Sequence, residues 1–102
     1  MSKGRPSQGS IVVGRFGIID DVDDAACALL GYAKAELIGL HGSELIAPEA
    51  RPATAVSIDR MRRGELSSLQ GQVRCKDGLR LRVDVSVRRL PADRLEFTLR
   101  PR

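Results

Sequence analysis

Aromatic residues are almost missing from this chain: Phe16, Tyr32 and Phe97 are the only three among 102 residues, and there is no tryptophan. The core must therefore be aliphatic, and recognition through stacked rings, as in many single-strand binders, has little to work with. Histidine is scarcer still, with His41 alone. No Ser/His/Asp or Cys/His arrangement is suggested, and no glycine-rich phosphate loop joins a strand to a helix, so a non-enzymatic role is expected. Cys27 and Cys75 have neither Cys-x-x-Cys nor metal-site spacing and read as two buried small hydrophobes of a reducing compartment. No run approaches the roughly 18 apolar residues of a membrane span. Met1-Ser2-Lys3-Gly4 is not followed by the apolar segment of a secretory signal, which makes a cytoplasmic location the expectation.

What is present suffices for one globular domain, since 42% of the residues are hydrophobic. Charge is divided unevenly. Residues 1–59 carry a net charge of −3 and residues 60–102 a net charge of +7, an asymmetry that bears on partners rather than on fold.

Residues 1–9 are polar, with Gly4, Pro6 and Gly9, and read as a flexible N-terminal tail ahead of a domain over residues 10–102. Ser10-Ile11-Val12-Val13 and Ile18-Ile19, separated by Gly14-Arg15-Phe16-Gly17, suggest a hairpin. Asp20, Asp21, Asp23 and Asp24 then read as the cap and first-turn acids of a helix over Ala25 to Leu30. As a calcium loop the cluster lacks the glycine required at the bend, so no metal is expected. Leu29-Leu30-Gly31-Tyr32 and Leu37-Ile38-Gly39-Leu40 each stop a short helix with glycine, and Ser43 is the expected cap of a further turn ending at Ala47-Pro48. Such short helices are unstable alone and must lie on an apolar face. One longer helix, starting near Glu49 to Pro52 and stopped at Gly64, carries Ala55, Val56, Ile58 and Met61 as a core-facing stripe.

Beyond Leu66 the period changes to two. Leu69, Gly71, Val73 and Cys75 alternate with polar residues up to Lys76-Asp77-Gly78, a hairpin signal. Leu79, Leu81, Val83, Val85 and Val87 share one face of the next strand, and Leu95, Phe97 and Leu99 one face of the last. Three antiparallel strands thus offer the aliphatic face that the short helices need.

The order strand, strand, short helices, longer helix, three-stranded meander resembles the PAS domain, and so do several segments. Ala25-Ala26-Cys27-Ala28-Leu29-Leu30-Gly31-Tyr32 with Glu36-Leu37-Ile38-Gly39, Pro48-Glu49-Ala50-Arg51, and Lys76-Asp77-Gly78 with its following strand are similar to segments of that family in the same order. The resemblance implies an α+β domain: a five-stranded antiparallel sheet of order 2-1-5-4-3, with short helices and one longer helix on one face around a small internal cavity. It implies a sensory and protein-interaction module that regulates a partner or an attached output domain, with a homodimer as the family's habit. Departures are Asp23 in place of Asn, Ala33 in place of Ser or Thr, and Ala47 in place of His. The chain also ends at Arg102 without the family's Asp-Ile-Thr exit, so it is expected to act in trans or as a piece of a longer protein.

A small apolar ligand would lie between the longer helix and the sheet, lined by Leu45, Ile58, Met61, Val73, Val83, Val85 and Phe97. Their aliphatic character favours a filled or nearly filled cavity over an occupied one. No cofactor follows. The haem-binding members place their proximal histidine on the long helix, which has none here, and the flavin sensors' Asn-Cys-Arg-Phe-Leu-Gln run is absent. The alternative is an acidic protein, or less readily nucleic acid, bound by Arg74, Arg80, Arg82, Arg88, Arg94 and Arg100, expected together on the sheet's outer face.

Overall fold

The structure, a computed structural model, describes residues 6–102. Of the tail expected over residues 1–9, residues 1–5 lie outside the described residues, and Gly9 already opens the first strand. Five strands form one antiparallel sheet: β1 (Gly9–Val13), β2 (Ile19–Val22), β3 (Ser68–Arg74), β4 (Arg80–Leu90) and β5 (Arg94–Pro101), in the order β2-β1-β5-β4-β3. Three α-helices, α1 (Asp24–Leu30), α2 (Lys34–Leu37) and α3 (Arg51–Arg62), cover one face with two 3₁₀ turns, Gly42–Leu45 and Pro48–Ala50.

The period-two pattern sets the register. Phe97 stands opposite Ile11 on one side and Val87 on the other, while Leu99 stands opposite Val85. The aliphatic faces of β1, β4 and β5 therefore coincide, and Ile11, Val83, Leu95 and Leu99 are buried there. Leu79 departs from its expected place on this face. It lies in the turn before β4 and is 50% exposed, because the backbone N–H donated to the Asp77 side chain belongs to a tight Asp-Gly turn rather than to the ladder.

The acidic cluster behaves differently from expectation. Asp20 and Asp21 belong to β2, and only Asp23 caps α1, accepting the Ala26 N–H at 2.8 Å. A register shift between Val12 and Val13 leaves Asp20 extra on β2, where it meets Arg94 at 2.9 Å. β2 is an edge strand, which is why it tolerates two carboxylates. Asp21 faces Lys34 at 3.7 Å. These acids thus have separate partners, and no group of three metal-type side chains is gathered among the described residues.

The glycine-stopped cover closes as its spacing predicts. Gly31 takes a left-handed φ of 78° at the end of α1, and both its N–H and that of Tyr32 donate to the Cys27 carbonyl. From there the chain is stitched along the β2 edge: Gly39 N–H to Ile19 O, Ile19 N–H to Leu40 O, and Gly42 N–H to Gly17 O. The cap of the first 3₁₀ turn is His41 rather than Ser43. Its Nδ1 accepts the Ser43 N–H at 3.1 Å while Glu44 accepts the His41 N–H. The ring nitrogen can do this because it carries a lone pair, so a histidine serves where serine is the commoner choice.

Candidate functional site

The long helix is held at its ends and stands clear in the middle. At its start, the Arg51 Nε donates to the carbonyls of Ser43 and Ile46. At its finish, Met61 is buried and the two terminal nitrogens of Arg62 donate to the carbonyls of Asp93 and Gly14. Between them the expected core stripe is only partly realised, since Ala55 is exposed and Val56 is 63% exposed, while Ile58 is half-buried. The positions nearer the sheet hold Thr54, Ser57 and Ile58, two of them too small to reach it.

A cavity of about 730 Å³ results, bordered by α3, the two 3₁₀ turns and strands β1, β3, β4 and β5. Leu45, Ile58, Met61, Val73, Val83, Val85 and Phe97 all border it. They do not fill it. The expectation of a filled core fails because Ala53, Thr54, Ser57 and Gly71 supply so little volume opposite them. The volume lies within the range of about 300–1,000 Å³ common for ligand sites. Phe16, 76% exposed beneath the Arg15 guanidinium, stands at the rim.

The arginines expected on the outer face divide into two groups. Arg74 and Arg80, opposite one another in the β3–β4 ladder, border the cavity instead. Arg80 meets Glu49 of the second 3₁₀ turn at 2.7 Å, and Arg74 donates to the Glu44 carbonyl at 3.4 Å. Arg74 can turn this way because β3 is an edge strand with no neighbour beyond it, and Arg80 because it opens β4 ahead of the β4–β5 ladder, which starts at Val83. The other four remain outside, but Arg88 is paired with Glu96 at 2.8 Å, Arg94 holds both oxygens of Asp20, and Arg100 donates to the Ser86 hydroxyl. Arg82 is exposed. The continuous basic field expected there is thus broken by cross-strand carboxylates.

Electrostatics at the mouth follow from this geometry. The Glu49 carboxyl is held below the usual carboxylate range by its own backbone N–H first and by Arg80 next, with the Arg74 charge adding to the effect. Across the cover, burial and the neighbouring Asp24 push the Cys27 thiol up, so it is a poor thiolate. Glu49, Arg51, Thr54 and Ser57 are site residues that the sequence reading did not single out. For Thr54 and Ser57 the signal was a run of small side chains on an otherwise amphipathic helix.

A 2-1-5-4-3 sheet with helices on one face around a cavity is the PAS architecture, and this chain has the PAS fold. No protein-family model matches the chain, and no curated protein matches it in sequence. Solved structures do. A domain of the sensory box sensor histidine kinase/response regulator from Geobacter sulfurreducens is similar at 25% identity and a TM-score of 0.79, over 91% of this chain and 82% of that one. The PAS domain of a Desulfitobacterium hafniense protein is 16% identical at a TM-score of 0.79, covering 92% and 91%. The PAS domain of the Cronobacter turicensis RpfR quorum-sensing receptor, solved with BDSF, is 14% identical at a TM-score of 0.79, covering 98% of each chain. No helix among the described residues is long and apolar enough to cross a membrane.

Proposed function

We propose that this domain, spanning residues 10–102, is a non-catalytic sensory module. It holds a small, largely apolar molecule between α3 and the sheet and passes its occupancy to a signalling partner or an attached output domain. The observation that carries the reading is the 730 Å³ space left open under a helix fixed only at its ends. A ligand there would touch α3 along its unsupported middle, so occupancy and the helix's position are coupled. Arg51 and Arg62 keep that response local by holding the ends to neighbouring loops. A homodimer in the cytoplasm belongs to the same reading and is measurable by light scattering. Arg88 and Arg94 of the outer face are neutralised by Glu96 and Asp20, which leaves Arg82 and Arg100 as a much smaller basic patch for the nucleic-acid alternative.

The test is native mass spectrometry of the purified chain for a bound molecule, followed by titration with a neutral apolar dye, N-phenyl-1-naphthylamine. Ser57→Leu places a larger apolar side chain into the cavity from a helical position that tolerates leucine. Dye binding is expected to fall at least about tenfold while the folded signal persists, the loss of roughly 1.4 kcal/mol of contact. A wild-type chain that binds no apolar compound, or equal binding by the variant, would overturn the reading.

A further inference from the structure

We propose that the molecule held in this cavity is an amphiphilic carboxylic acid, its acid group seated at the mouth on Arg74 and Arg80 and its hydrocarbon portion against Val73, Val83 and Phe97. The inference rests on the ligand-holding reading above and adds the chemistry of the ligand's polar end. Among the described residues, five arginines but one carboxylate, Glu49, border a largely apolar space. Two of the five are already committed to carbonyl oxygens, Arg51 through its Nε and Arg62 through both terminal nitrogens.

Arg74 and Arg80 are different. They are directly opposed in the β3–β4 register, an arrangement in which like charges repel. Among the described residues that border the cavity the one carboxylate is Glu49, which meets Arg80 at 2.7 Å, whereas Arg74 makes a long contact of 3.4 Å to the Glu44 carbonyl. Two guanidinium groups thus share one carboxylate, and one positive charge at the mouth is unbalanced. A single-charged acid group balances it; a neutral headgroup does not. The Arg80–Glu49 pair is also easily exchanged, because its side chains are 51% and 62% exposed and such solvated pairs contribute little. An incoming carboxylate can take one arginine fork without leaving a buried charge alone. Its chain then runs inward to the aliphatic wall, where each methylene removed from water adds affinity.

The experiment compares dodecanoate with 1-dodecanol on the full chain, by displacement of the neutral dye at low salt. Dodecanoate is expected to bind at least about tenfold tighter than the alcohol, the size of one added charge-assisted hydrogen bond. In Arg74→Gln and Arg80→Gln that advantage shrinks toward unity. In Glu49→Gln it grows, since the competing carboxylate is gone. Opposite signs for the arginine and glutamate variants are a readout that general destabilisation does not produce. Equal binding of acid and alcohol, or an advantage untouched by the arginine substitutions, overturns the acid headgroup while leaving the cavity reading in place. If dye, alcohol and acid all fail to bind, both fall together.

Discussion

One sheet face carries two covers that behave in opposite ways. Over β1 and β2, α1 and the turn into α2 are pressed flat: Ala26, Leu30 and Leu37 are each 0% exposed. Over β3 and β4, α3 buries Met61 alone and leaves Val56 63% exposed. The difference lies in the side chains that point down. Leucines at a glycine-stopped helix end reach the sheet, whereas Thr54 and Ser57 do not, so the first cover is core and the second is a roof over a cavity. A single sheet can thus supply stability at one end and a binding volume at the other, provided that the roof is secured at its ends.

The largest expected effect lies under the closed cover. Leu30→Ala removes a fully buried side chain from a residue whose backbone carbonyl accepts the Lys76 N–H, and is expected to cost about 2–5 kcal/mol in urea unfolding. Val56→Ala, on the open cover, is expected to stay within about 0.5 kcal/mol. Similar costs for the two would erase the distinction between core and roof.

Two strand glycines sharpen the same contrast at the backbone. A Cβ on Gly9 would sit 2.6 Å from the α1 backbone at Ala26, while one on Gly71 would meet only the end of the Leu69 side chain at 3.4 Å. Gly9→Ala must push the closed cover away and is expected to cost about 1–3 kcal/mol. Gly71→Ala projects toward the cavity and is expected to be neutral, or stabilising by up to about 0.5–1 kcal/mol through reduced freedom of the unfolded chain. Thermal unfolding of both reads the sign directly; a penalty at Gly71 equal to that at Gly9 would mean that the roof sits lower than described.

The closed half was legible in the sequence and the open half was not. Leu30-Gly31-Tyr32 announces its own helix stop; in the open half only the sheet itself was legible, through the alternation from Leu81 to Val87. The seven lining residues could be named because large apolar side chains carry a periodic signal. That they would fail to meet was hidden, since a cavity is an absence of volume, and Ser57 or Thr54 on a helix resembles ordinary solvent-facing polarity. Asp20 and Asp21 were read as helix acids because an edge-strand bulge has no period. Arg74 and Arg80 were placed on the outer face by strict alternation, which ignores the freedom of a long side chain on an edge strand, or at a strand start beyond its partner's ladder, to reach around it.

The smallest expected effect concerns the one ion pair among the described residues that ties the closed cover to the β3–β4 hairpin. Lys76 Nζ meets Glu36 at 2.6 Å, and the Glu36 carboxylate also accepts the Ala33 N–H, replacing the side-chain cap that alanine lacks. Lys76 first, and the Ala33 N–H next, hold the Glu36 carboxyl below its ordinary range. A carboxyl depressed by folding is protonated more readily in the unfolded chain. Its contribution is therefore complete above the ordinary glutamate value of about 4.3 and is lost as pH falls through the lower folded value. In Lys76→Met the Ala33 part of this acid-side loss persists and the lysine part vanishes. The variant should be slightly less stable than wild type at neutral pH, and the two should converge as pH falls through the lowered folded value. Because the pair is solvent-exposed, the neutral-pH gap is also expected to narrow at about 1 M salt, where screening acts within about 3 Å. Stability curves for the two proteins that stay parallel through the acid range would show that the hairpin and the closed cover are joined by the Lys76 N–H to Leu30 carbonyl bond, and not by this charge pair.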